Sequence, residues 1–166
     1  TRRSSDLRGK NKYFALNMLK SFTVSFLILV IPLLLNLLMV HIVFSGGTFL
    51  FIAQESIKVI PSMAEQFSHP MFYNLLCIFL FSFVGAFVGS GATALAMAFP
   101  NRFILYPLDF ILWYIPCIME SSVRGAFQPF TEYPLSKYFP GLILVLAINV
   151  LAVLFSFFKV TKYDQV

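Results

Sequence analysis

Asp109 is the acidic side chain that lies inside a long apolar run, and an ionisable group at such a position is by default a candidate for binding substrate or moving a proton. Arg102 precedes it by two helical turns on the same face, ~10 Å away along the axis, so the alternative is a structural pair made through a long side chain or water. Asn36 is a second polar group in apolar surroundings. It follows Pro32 by one turn, and Pro32 leaves the carbonyl of Ile28 without its helical donor. The amide is expected to bridge to that backbone or to another helix, with lining of a pathway as the alternative. Other chemistry is poorly supplied. Gly9-Lys10 lacks the upstream glycine and following hydroxyl of a phosphate-cradling loop, so ATP is not expected to bind there. His41 and His69 lack metal-ligand spacing, and Cys77 and Cys117 sit in apolar runs as small apolar residues. With no paired carboxylates or activated nucleophile, no catalytic, cofactor or metal site is expected, and the chain reads as a non-enzyme.

The elements that carry these residues follow from composition. Apolar residues make up 59% and charged residues 11%, against about 25% charged in a soluble domain, and there are 21 Phe. Uncharged runs exceed the ~18 residues that flag a spanning helix, so the expected fold is an all-α, polytopic membrane helix bundle with spans at about 22–44, 71–99, 103–119 and 141–158. Gly46 and Gly47 end the first span. Residues 49–66, with Glu55, Lys58 and Glu65 among apolar positions, read as an interfacial segment. Pro100-Asn101-Arg102 is a polar break, and Pro107 and Pro116 predict a kinked third span. Residues 120–140, with Arg124, Lys137 and three prolines, predict an ordered polar loop or short re-entrant element. Gly85 and Gly89 form a small-xxx-small pair, expected to pack within the chain, with a dimer contact or a moving seam as alternatives.

Charge placement sets the expected orientation. Cytoplasmic flanks retain Lys and Arg, and alternation groups Arg8, Lys10, Lys12, Lys20, Arg102, Lys159 and Lys162 on one side against Lys58, Arg124 and Lys137 on the other. A multi-pass protein of the cell membrane with both ends cytoplasmic is expected, and its partner is the lipid bilayer rather than nucleic acid. Residues 8–20 interleave basic and apolar side chains and read as an amphipathic entry resting on anionic headgroups or offering a docking surface. Thr1-Arg2-Arg3-Ser4-Ser5-Asp6-Leu7 resembles a translated DNA-sequencing adapter. Residues 8–166 are therefore expected to form a single transmembrane domain, with native residues missing before Arg8.

Three stretches carry a family resemblance. Gly9-Lys10-Asn11-Lys12-Tyr13 with Lys20 and Ile31-Pro32-Leu33-Leu34-Leu35-Asn36-Leu37-Leu38 is similar to the cytoplasmic connector and following helix of type 2 (exporter-like) ABC-transporter permeases. Phe83-Val84-Gly85-Ala86-Phe87, leading to Asn101-Arg102-Phe103, and the end from Lys159 to Asp164 resemble later parts of the same family. The resemblance implies the last four of six helices, a second permease half, and ATP hydrolysis on a separate cytoplasmic ATPase subunit docked at or near Lys10, Lys12, Tyr13 and Lys20. Asp109 stands where such permeases would carry an apolar residue. The expected function is a permease subunit of an ATP-driven exporter of unidentified substrate. The alternatives are an ion-coupled small carrier using Asp109 and a non-transporting membrane scaffold.

Overall fold

The computed structural model describes residues 2–44, 66–99, 101–119, 122–131 and 133–162. They form four α-helices, α1 (Arg2–Val43), α2 (Pro70–Ala98), α3 (Arg102–Ile118) and α4 (Phe139–Lys162), with two short 3-10 helices, Val123–Phe127 and Leu135–Tyr138, between α3 and α4. No strand occurs among the described residues. At ~1.5 Å per residue the 42 residues of α1 extend ~63 Å, about twice a hydrocarbon core, so one end must project well beyond it. Three stretches are long and apolar enough to cross a membrane: Gly9–Val43, Pro70–Ala98 and Leu135–Thr161. These are the helices of a membrane protein. The 17 residues of α3 cover only ~26 Å and fall short of that length.

The centre of the bundle is α2. Asn17 reaches Met97 while Ser21 reaches Gly89 and Thr93, so α1 runs antiparallel to α2. Gly91 faces Asn149 and Phe99 stacks on Phe155, so α4 runs parallel to α2. A parallel pair needs a return, and α3 supplies it. Its far end places Trp113 and Cys117 against a core of Val84, Val123, Ala126, Tyr138, Leu142 and Val145. The bundle thus has a basic end, where Phe14 packs edge-on to Phe157 and Lys159 lies 3.9 Å from the Phe99 ring centroid, and a capped end closed by the 3-10 helices.

Spacing explains why α2 serves two neighbours. Buried Val84, Gly91, Leu95 and Ala98 recur at intervals of seven, four and three, and α4 presents Leu142, Val145, Asn149, Ala152 and Ser156 at alternating threes and fours. That is the seam of left-handed helix packing. Toward α1 the period is four: Gly85 meets Leu29 and Gly89 meets Ser25, whose Oγ lies 2.5 Å from where a Cβ would stand. Both glycines therefore pack against a helix of their own chain, with the backbones drawn close as small-xxx-small spacing allows.

α3 runs as one helix through Pro107 and Pro116; Pro107 falls within the second turn, where one missing amide donor does not end the helix. Residues 120–140 are less polar in effect than their charges suggest. Val123 and Ala126 are fully buried, while Glu120, Ser121 and Glu132 lie outside the described residues. The expected interfacial segment at 49–66 also lies outside them, except for Gln66, as does the resemblance at Tyr163 and Asp164.

Candidate functional site

Two adjoining cavities lie beneath the capped end, of about 470 and 560 Å³, with Cys77 and Pro129 in the wall of both. Their volumes fall in the usual range of small-molecule sites, about 300–1,000 Å³. The first is bordered by Gln66, Tyr73, Gln128 and Thr131. The second opens between α1 and α2, where Asn36 and Asn74 face it from opposite helices alongside Phe81, Phe127 and Phe130.

Local geometry holds these walls. Pro70 occupies the start of α2, where its missing donor costs nothing, and its carbonyl accepts from Asn74 Nδ2 at 3.0 Å. Gln66 is buried and clamps the loop: Thr131 N–H donates to its Oε1 at 3.1 Å, and its Nε2 donates to the Thr131 carbonyl at 3.3 Å. Phe130, between Pro129 and Thr131, adopts φ 62°, a left-handed conformation that costs a non-glycine residue ~1–3 kcal/mol unless its surroundings impose it. The Gln66 clamp and stacking on Phe67, with centroids 4.9 Å apart, impose it here. Phe127 meets Phe81 edge-on at 5.2 Å. Gly125 lies directly beneath the Tyr138 ring, where any Cβ would collide. Ser122 ends α3 by donating to the Cys117 carbonyl at 2.8 Å and accepting from Arg124 N–H at 3.3 Å.

The residues expected from sequence are distributed over the molecule. Asn36 makes no hydrogen bond among the described residues and points to the larger cavity rather than back to Ile28. Eight residues of helix separate it from that carbonyl, ~12 Å, beyond the reach of an amide. Lys12, Tyr13 and Lys20 are exposed and Lys10 half-buried on the N-terminal half of α1, at the basic end of the bundle, with Tyr13 ~35 Å along the helix from Asn36. Asp109 is half-buried on the face of α3 that carries Leu105, Leu112 and Pro116, yet it forms no ion pair with Arg102. Arg102 is exposed at the first turn, where its long side chain can reach water instead. No metal-holding group of His, Cys, Asp or Glu occurs among the described residues.

Other polar contacts were not evident from the sequence. Thr93 Oγ1 donates to the Gly89 carbonyl at 2.9 Å, and Ser21 Oγ lies 3.1 Å from that oxygen and 2.7 Å from Thr93 Oγ1. Two hydroxyl protons therefore serve three contacts. Ser21 and Ser25 lie one turn apart on α1, a spacing that marks a polar stripe suited to a glycine pair, and this is the signal that could have located the seam. Asn149 Nδ2 donates to the Val145 carbonyl at 2.9 Å and turns its Oδ1 toward Gly91. Asn101 caps α3 by accepting from Phe103 N–H at 3.0 Å.

No family model matches the chain, and no solved structure matches it. It is 30% identical over 163 residues to the uncharacterized protein YybM of Bacillus subtilis (strain 168), in an alignment that covers 95% of this chain and 63% of that protein. The chain thus spans less than two thirds of the length of the curated relative it matches.

Proposed function

We propose that the chain is the membrane-spanning part of a permease subunit, an exporter of the type 2 ABC class whose energy comes from a separate ATPase. In this reading α3 is a fourth crossing, both ends of the chain are cytoplasmic, and a second permease half completes the pathway. The observation that carries it is the parallel course of α2 and α4. The return through α3 gathers Lys12, Lys20, Arg102 and Lys159 at one end of the bundle and leaves Arg124 and Lys137 at the other, the asymmetry expected across a membrane. A 17-residue crossing is short by a few ångströms, a mismatch that snorkelling of Arg102 and local thinning of the bilayer absorb at modest cost.

The N-terminal half of α1 offers Lys10, Lys12, Tyr13 and Lys20 to the ATPase, and the capped end opens outward. Replacing Lys10, Lys12 and Tyr13 together in the whole gene product is expected to abolish transport-coupled ATP hydrolysis while the protein still reaches the membrane. Unchanged coupling would reject the docking surface. A membrane-impermeant maleimide on intact cells should label Arg124→Cys and spare Lys20→Cys; the reverse pattern would invert the topology. Asp109, which has no ion pair among the described residues, supports a second reading, an ion-coupled carrier, for which transport in Asp109→Asn should lose its proton dependence.

A further inference from the structure

We propose that the 560 Å³ cavity between α1 and α2 binds an uncharged amphiphile, holding its hydrogen-bonding head between Asn36 and Asn74 and its apolar tail along Leu33 and the aromatic wall of Phe81, Phe127 and Phe130. This deepens the permease reading by naming a substrate class and rests on that reading for transport, while the binding itself is argued from the cavity. Two carboxamides face the same space from antiparallel helices. Asn36 has no partner among the described residues, and Asn74 uses one N–H on the Pro70 carbonyl, which leaves its other N–H and its oxygen for a ligand. An amide left unpaired in apolar surroundings is costly, so a head group with its own donor and acceptor is favoured there. None of the described residues lining the cavity carries a charge, so they offer an uncharged head hydrogen bonds and an ionic head no counter-charge. The strained Phe130 backbone, fixed by the Gln66 clamp, presents its ring as part of the wall, and the opening between two apolar helices suits a molecule arriving from the lipid.

The test uses the full chain in phosphatidylcholine nanodiscs and a decanamide carrying an aliphatic diazirine. After irradiation, adducts are expected within residues 33–40, 74–81 and 127–130. Excess decanamide should remove them, whereas decanoate at alkaline pH and decyltrimethylammonium should not. Asn36→Leu combined with Asn74→Leu is expected to weaken the competition by about fivefold for each amide lost, and the double Gln variant to retain more of it. Adducts spread evenly over the exposed faces of α1 and α3, equal competition by the charged amphiphiles, or a Leu variant that competes like the parent would each overturn the proposal. Should the Leu variant fail to fold, the head-group selectivity of the parent decides the matter. No ATPase enters the assay, so a failure of the permease reading is read separately from a failure here.

Discussion

Helices α2 and α3 follow one another in the chain and are both strongly apolar, yet the bundle holds them differently. α2 is gripped on two sides along its length, by α1 through Gly85, Gly89 and Thr93 and by α4 through Val84, Gly91 and Ala98. α3 is held mainly at its far end, by Trp113, Pro116 and Cys117, while Phe103, Tyr106, Phe110 and Tyr114 stand exposed. Apolarity therefore marks which segments can enter a membrane, and side-chain size decides which of them pack. Lipid solvates Phe and Ile as well as a neighbouring helix does, so association in a bilayer depends on close backbone approach and interhelical hydrogen bonds.

The contrast breaks most severely if α2 loses its close approach. Gly91→Leu would drive a branched side chain into Asn149 at a fully packed seam, and a loss of about 3 kcal/mol is expected, at the upper end of overpacking costs. Reversible unfolding in mixed micelles measures it. A variant as stable as the parent would show that α2 and α4 are not in contact. The next effect concerns the cap that anchors α3. Gln66→Leu removes both hydrogen bonds to Thr131 and frees the strained Phe130, for a cost of about 2 kcal/mol. Amide exchange should then quicken by about thirtyfold at Thr131 and toward the end of α3, with the middle of α2 still protected. Equal acceleration in both helices would erase the distinction between them.

The unequal treatment of the two helices was partly legible in the sequence. The apolar runs and the Gly85/Gly89 spacing were visible because each depends on residues close in the chain. The identity of the partner was not, since Gly85 meets Leu29 and Gly89 meets Ser25 only once α1 and α2 are aligned. The Gln66 clamp spans 65 residues, and a glutamine in a polar stretch carries no mark of such a role. The left-handed Phe130 runs against its own steric preference and is imposed from outside. A direct Arg102–Asp109 ion pair does not form, for a simpler reason: periodicity puts two residues on one face but says nothing about whether a long side chain turns inward or toward water.

A smaller effect of opposite sign sharpens the account of α2 and its neighbour. Ser82 and Ser156 are fully buried, and their hydroxyls have no hydrogen-bond partner among the described residues. Replacing either by Ala deletes an unsatisfied polar atom at nearly unchanged volume, so each variant should be more stable by about 1 kcal/mol. A loss of stability on the same unfolding scale would mean that the hydroxyl is satisfied in the membrane.

The smallest expected effect is the most informative about partners. Phe103 is 90% exposed and Phe110 63% exposed, so in a bilayer both should touch lipid, where Phe and Leu are solvated almost equally. Phe103→Leu and Phe110→Leu are then expected to change stability by no more than about 0.5 kcal/mol, as substitutions away from packed or polar features do. The proposed second permease half needs a surface on this chain, and the exposed face of α3 is broad, aromatic and little used by its own bundle. If that half covers α3, the same substitutions should leave the isolated chain unchanged yet weaken the assembled complex in a pull-down of differently tagged copies from detergent. An effect on the isolated chain would instead place both rings inside its own fold and remove the contrast with α2.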